Sequence, residues 1–269
     1  MSSDVLQGGL DRFVRFVKWV FFKIVCLSDY PRYLRFRGAI MALLGKIGLY
    51  EGPEFACLPL FIRDGSEVLD IGAHFGLYTY KARQLVGAGG KVIAFEPLPE
   101  LFALLEERFS RDQGILVRRA AVSAEPKEEG TLRIPLLFGS MPEPALASSS
   151  ALFAESREVT VPFITVDSLL PDLSNLSFIK MDVEGAEPSV LRGASKVIHA
   201  FRPVIQLEEN SPYQNLDFYF DWARKYGYAL HRPLGRGSFG IIETADGMVG
   251  RTLYLIPQPR PAADASEPA

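Results

Sequence analysis

The most restrictive feature of this sequence is a rhythm of short apolar runs and longer amphipathic ones. Glu67–Gly72 has the length and composition of a strand, Gly76–Val86 of a helix, Lys91–Pro97 of a second strand, Pro99–Phe109 of a second helix, and Ile115–Ser123 of a third strand. Parallel strands need long crossovers, so this alternation dictates a mostly parallel sheet covered by helices on both faces. The rhythm pauses over 124–160, where PLLFGSMPEPALASSSALFAES lies between short strands at Thr131–Pro135 and Glu158–Pro162. Such a stretch is expected to be an inserted hairpin with a long loop. The rhythm then resumes with strand Phe178–Val183, helix Pro188–His199, strand Pro203–Glu208, a helix around Leu216–Tyr226, and strands near Tyr228–Arg232 and Thr252–Pro257. The expected organisation is an N-terminal helical extension over 1–64, with turns at Gly45, Gly48, Gly52 and Pro53. One α/β domain follows over 65–257, and a disordered tail rich in proline and alanine over 258–269.

Charge is unevenly distributed. The formal net charge is -3, which argues against a broadly basic, nucleic-acid-binding surface. Residues 1–50 nevertheless hold eight Lys/Arg and three Asp/Glu, a balance of +5, leaving 21 basic and 29 acidic residues, or -8, in the remainder. The basic part contains LDRFVRFVKWVFFKIVCL, Leu10–Leu27, in which Asp11, Arg15 and Lys18 mark one helical stripe among aromatic and aliphatic residues. Charges interrupt it too often for a membrane span, which needs about 20 apolar residues. A secretory signal is disfavoured because the first ten residues carry no basic residue. Three readings stay open: a helix packed on the domain, a contact in a homo-oligomer, or peripheral contact with a membrane surface. Two cysteines, Cys26 and Cys57, are too few for a disulfide framework and favour a reducing, cytoplasmic setting.

Three places carry groups suited to a ligand. In EVLDIGAHFGLYTY an apolar strand reaches Asp70, turns at Gly72, and enters a helix near Gly76. Glycines there let a ligand approach the backbone, but the spacing is not G-x-G-x-x-G, which disfavours a dinucleotide fingerprint. Glu96 ends the second strand, twenty residues beyond Gly76, where an acid can accept both hydroxyls of a ribose. Finally FIKMDVEGAE, Phe178–Glu187, ends a strand with Asp182 and Glu184. Ligands of open parallel sheets sit beyond the carboxyl ends of the strands, so these acids are expected to face the same crevice as Gly72 and to suit a cationic ligand such as an amine or sulfonium.

DIGAHFGLYTY, FEPLP, the TVDSLL run at 165–170 and above all IKMDVEGAEPSVLRGA resemble the FkbM family of S-adenosylmethionine-dependent methyltransferases, in the family's order over roughly 65–210. The resemblance implies a class I, Rossmann-like methyltransferase fold of seven strands ordered 3-2-1-4-5-7-6, the last antiparallel. It implies O-methylation, often of a sugar hydroxyl in a glycan, glycolipid or natural product. Carried over by position, Asp70, Gly72, His74 and Gly76 border the methionine portion of S-adenosylmethionine, Glu96 holds the ribose, Ser123 lies near the adenine, and Asp182 sits near the amine or the acceptor oxygen. Glu184 and Glu187 shape the same pocket, with Glu187 equally suited to favouring the start of the next helix. His74 stands where the family usually has asparagine.

The expected chemistry is an in-line displacement in which an acceptor hydroxyl attacks the methyl group. Asp182 is the first candidate base, His74 the second and His231 the third, with Glu184 as a further catalytic acid. Glu208 and Glu209 end a later strand and can hydrogen-bond an acceptor. Asp182, Glu184 and Glu208 are oxygen ligands suited to Mg²⁺, but their spacing is not diagnostic and no metal is expected. The expected partner is a small-molecule or glycan acceptor, chosen by the loop 137–157, the N-terminal helices and the 211–250 segment. The rival readings are a nucleotide-dependent oxidoreductase and a membrane-associated or oligomeric module without catalysis.

Overall fold

The computed structural model describes residues 29–46, 53–137, 140–144, 147, 155–208, 215–235, 237–244 and 252–259, together with residues 20, 23 and 26. Most of Leu10–Leu27, the middle of the 137–157 loop, Glu209 and nearly all of the tail therefore lie outside the described residues.

The centre of the fold is a sheet whose strands are buried on both faces. β1 (Glu67–Ile71) is buried at every position, and β2 (Lys91–Phe95) and β8 (Leu176–Met181) at all but one, as expected of parallel strands sandwiched between helices. β3 (Ile115–Arg118) follows β2, and β9 (Val204–Glu208) follows β8. β10 (Tyr228–Gly235), β11 (Ser238–Ile241) and β12 (Thr252–Pro257) complete it, giving the order β11-β10-β12-β9-β8-β1-β2-β3. β12 runs antiparallel to β9 and β10. In the order of the seven expected strands this is 3-2-1-4-5-7-6, the class I methyltransferase arrangement, with one strand more than expected. The eighth, β11, is an antiparallel edge strand paired with β10.

Alternation along each strand divides the core. Val68, Val92, Phe178 and Tyr254 face one side, beneath α2 (Pro53–Phe61) and α3 (Leu77–Val86). Ala94 joins α4 (Pro99–Phe109) through Leu105 and Phe109. Leu69, Ile93, Ile179 and Leu207 face the other side, beneath α5 (Glu187–Arg192), α6 (Ser195–Phe201) and α7 (Leu216–Tyr226). The expected helix Pro188–His199 is thus two. Between them a Cβ at Gly193 would collide with the carbonyl oxygen of Ser123, so the chain stays close to that strand end instead of continuing as one helix. Asp167, in a 3₁₀ turn over Val166–Asp172, then caps α6: its Oδ1 accepts from Lys196 N at 2.8 Å and Val197 N at 3.0 Å.

A second sheet flanks the first. The expected strand Ile115–Ser123 breaks after Arg118, and β4 (Ala121–Val122) pairs in parallel with β7 (Ser156–Ile164). β7 is the antiparallel partner of β5 (Lys127–Leu137), and β6 (Met141–Pro142) pairs with the end of β5. α1 (Tyr30–Lys46), which contains Gly45, packs on this sheet through Tyr33 and Leu34 with Ile134, Met141 and Phe75. Arg37 on α1 pairs with the buried Glu143 at 3.2 Å, and Arg157 on β7 pairs with Glu100 on α4 at 2.6 Å. Among the described residues no helix is long and apolar enough to cross a membrane.

Candidate active site

The carboxyl ends of β1, β2, β8 and β9 open on a cavity of about 480 Å³, a size typical of small-molecule sites. One corner is the turn after β1. Gly72 and Ala73 both donate their N–H to Phe95 O at 3.0 Å, and Asp182 N donates to Ile71 O at 3.0 Å. Gly72 has φ 82°, and a Cβ there would collide with the carbonyl oxygen of Asp182. The glycine corner and the acidic turn are therefore in contact. His74 at φ 51° and Glu184 at φ 54° line the same cavity. Left-handed backbone at non-glycine residues stores strain, and of three such residues described, two stand here.

Glu96 is buried at the end of β2. Its Oε2 accepts from His74 N at 2.9 Å and its Oε1 from Leu98 N at 3.0 Å. Burial pushes its carboxyl up to about 7, against the pull of those two N–H groups and of Lys180, while Asp70 adds to the rise. Beyond Glu96 the wall becomes apolar: Leu98, Ala121, Val122, Leu132 and Phe163 form a slot built largely by the second sheet.

Lys180 organises the acidic side. Its register on β8 sets it beside Asp70, and its Nζ donates to Gly72 O at 2.7 Å. The same Nζ lies 3.5 Å from Asp182 Oδ2, 3.6 Å from Asp70 Oδ1 and 5.2 Å from the centre of the Tyr78 ring. Burial opposes its charge, but Asp182, Asp70 and Glu208 outweigh that and raise its pKa. Sequence reasoning noted this lysine without giving it a role. The signal was available: a lysine inside a strand buried on both faces is costly unless carboxylates surround it.

The expected site residues separate into two groups. Gly72, His74, Glu96, Asp182, Glu184 and Glu208 line the cavity. Asp70 stands behind the wall, accepting from Thr79 Oγ1 at 2.6 Å. Gly76 is covered by Leu105 and Phe109, so its lack of a side chain serves helix packing. Ser123 lies off the wall, with its N–H on Ile164 O and its hydroxyl on Glu125 O. Glu187 is fully buried and accepts from Val183 N at 3.0 Å, closing the acidic turn from below. His231 sits on β10 with Nδ1 3.0 Å from Ala229 O and does not line the cavity. Among the described residues no group of three His, Cys, Asp or Glu side chains is placed to hold a metal ion.

The remaining wall comes from residues that sequence reasoning did not single out: Arg37 and Met41 of α1, Glu54 and Phe55 of α2, and Tyr78. The Tyr78 ring packs tilted against Phe55, 4.4 Å between ring centres, and its hydroxyl accepts from Gln206 Nε2 at 2.7 Å. Gln206 is held in turn by the Tyr254 hydroxyl, 3.1 Å from Oε1.

Residues 70–230, more than half of the chain, match the family profile described as the methyltransferase FkbM domain. Similar solved structures include methyltransferase FkbM from Methylobacillus flagellatus, with 18% identity and a TM-score of 0.46 over 84% of this chain and 55% of that one. This chain thus spans about half of that protein. Fibrillarin from Aeropyrum pernix, solved with natively bound S-adenosyl-L-methionine, shares 11% identity over 75% of this chain and 73% of its own, with a TM-score of 0.42. An rRNA methylase from Streptococcus thermophilus shares 11% over 78% of this chain and 99% of its own, also at 0.42. No curated protein matches the chain.

Proposed function

Because the chain belongs to the FkbM methyltransferase family, we propose that it moves a methyl group from S-adenosylmethionine to a hydroxyl oxygen of a sugar, glycolipid or other natural product. The family's cofactor is S-adenosylmethionine, and the donor set fits it. Glu96 offers a buried carboxylate to a ribose diol, the slot of Leu98, Val122 and Phe163 offers apolar faces to a flat heterocycle, and Asp182 and Glu184 offer negative charge to a cationic end. The observation that carries the reading is that these three features share one cavity at the carboxyl end of the sheet.

When bound, S-adenosylmethionine supplies an electrophilic methyl on a sulfonium, so the protein's main tasks are alignment and proton removal. Alignment of reacting groups can supply several kcal/mol. Lys180 holds the Asp182 carboxylate and the Gly72 carbonyl together, fixing the acidic turn against the glycine corner. Asp182 is the proposed base, taking the acceptor's hydroxyl proton as its oxygen gains the methyl group; His74 and Glu184, which also line the cavity, are the alternatives. Glu54, Tyr78 and Glu208, beside the Phe55 ring, suit an acceptor with several hydroxyls and an apolar face.

Calorimetry with S-adenosylmethionine, followed by transfer of labelled methyl to glycosides, lipid extracts and RNA, tests the reading. Cofactor binding with label in a hydroxylated small molecule supports it. Folded protein that binds no S-adenosylmethionine rejects it, binding of a nicotinamide dinucleotide instead restores the oxidoreductase reading, and label in RNA alone replaces the acceptor class.

A further inference from the structure

A second cavity, of about 1120 Å³, lies between α1, α3 and α4. Arg35, Arg83, Arg108 and Arg111 line it, against two acids, Glu107 and Asp112. Asp112 is committed to Arg83 at 2.8 Å. Arg108 is half-buried; its guanidinium donates to Phe75 O at 2.6 Å and packs over the rings of Tyr80 and Phe109. Among the described residues no carboxylate pairs with Arg108. Burial lowers its pKa, as expected for a cation withdrawn from water without an anion to replace the lost hydration.

The helix bordering this groove is unusual on its own account. α1 contains Arg32, Arg35, Arg37 and Lys46 and no acid. Arg37 and Met41 reach the active-site cavity, whereas Arg35, Gly38, Ala39 and Ala42 line the arginine groove. On its solvent side Phe36, Ile40 and Leu43 are 45%, 41% and 58% exposed, at steps of four and three that form one stripe. Arg32 and Arg35 are exposed beside them. An apolar stripe flanked by cations, on a helix whose nearest acid in sequence is the capping Asp29, has the amphipathic, basic character that suits an anionic bilayer surface.

We propose that α1 docks on a membrane surface, the arginine groove receiving the phosphate of an anionic lipid headgroup while Ile40 and Leu43 enter the acyl boundary. Phe75 contributes to both cavities, so the docked groove stands one side chain away from the active site. The docking does not depend on the methyltransferase reading; only its use, the presentation of a lipid-linked hydroxyl, rests on that reading.

Flotation of the full chain with vesicles tests it, using phosphatidylcholine alone and phosphatidylcholine mixed with phosphatidylglycerol. Binding is expected to the anionic vesicles and to weaken with salt. Each arginine near an anionic surface contributes roughly fivefold, so Arg35→Glu with Arg111→Glu should weaken partition by about 25-fold or more, the loss expected from two such charges before their reversal is counted. Ile40→Asp should weaken it separately, with S-adenosylmethionine affinity unchanged in every variant. Anionic-vesicle binding that survives all three substitutions overturns the proposal and moves the contact to another segment. Inorganic phosphate binding without vesicle binding also overturns it, leaving a free-anion site. Self-association abolished by Ile40→Asp, with no vesicle binding, overturns it in favour of a contact between two copies.

Discussion

Glu96 is the group through which pH should act on cofactor binding. Its carboxyl is 4% exposed, and burial raises its pKa to about 7 from an ordinary value of about 4.3. A protonated carboxyl cannot accept both ribose hydroxyls as a carboxylate does. If the ionised form alone binds, the apparent Kd is the intrinsic constant divided by the ionised fraction. That fraction is about 0.09 at pH 6 and about 0.9 at pH 8, so affinity should rise about tenfold between them. Calorimetry across this range, in buffers of different ionisation heat, reads both the affinity and the proton released on binding at pH 6. Glu96→Gln should bind weakly and with a flat profile. A flat profile in the unsubstituted protein, or an equal slope in the variant, would refute the assignment. With its carboxyl raised to about 7 by burial, the same residue is expected to act on folding with the opposite sign. Its native pKa exceeds the unfolded one, so its contribution is fully present below about pH 4 and is lost as pH rises through about 7, a change of at most about 3–4 kcal/mol. The cofactor-free protein should therefore melt lower at pH 8 than at pH 6 on account of this residue, and Glu96→Gln should remove that difference.

Three further substitutions probe separate links. Asp182→Asn should lower the rate of methyl transfer roughly 10²–10⁴-fold with a smaller change in S-adenosylmethionine affinity, and single-turnover kinetics would separate the two. Gly72→Ala must fit a side chain at φ 82° against the Asp182 carbonyl, and should cost about 2–4 kcal/mol in urea unfolding as well as disturbing the site. Asp167→Ala removes the cap of α6 and should cost about 0.5–2 kcal/mol, a few degrees in Tm, while leaving kcat/KM unchanged.

The parts legible in the sequence were those written in local periodicity. Strand and helix alternation gave the parallel sheet, and the rule that ligands sit beyond strand ends brought Gly72, Glu96 and Asp182 together before any coordinates. What stayed hidden depended on distant contacts. ILVRRAAVS reads as one strand, and only pairing of Ala121 with Phe163 reveals that it serves two sheets. Gly193 gives no local sign that a neighbouring carbonyl divides its helix. The apolar slot draws on Leu132, in the expected strand Thr131–Pro135, and on Phe163, just beyond the expected strand Glu158–Pro162, and nothing local says that these strands meet the cavity. Asp70 and Ser123 show the reverse limit: motif position placed them near the ligand, whereas side-chain direction turns one behind the wall and the other off it. Arg37 and Phe55 belong to helices with no motif, so their place over the cavity is a tertiary fact.

Those two helices lie upstream of the span by which kinship is recognised, yet they line the same cavity as Asp182 and Glu184. Under the proposed function, a polypeptide trimmed to 70–230 should keep the walls assigned to the methyl donor and lose Arg37, Met41, Glu54 and Phe55 from the side assigned to the acceptor. On that reading, relatives could share every diagnostic motif and still act on unlike molecules, because part of the wall lies in a stretch outside the matched span.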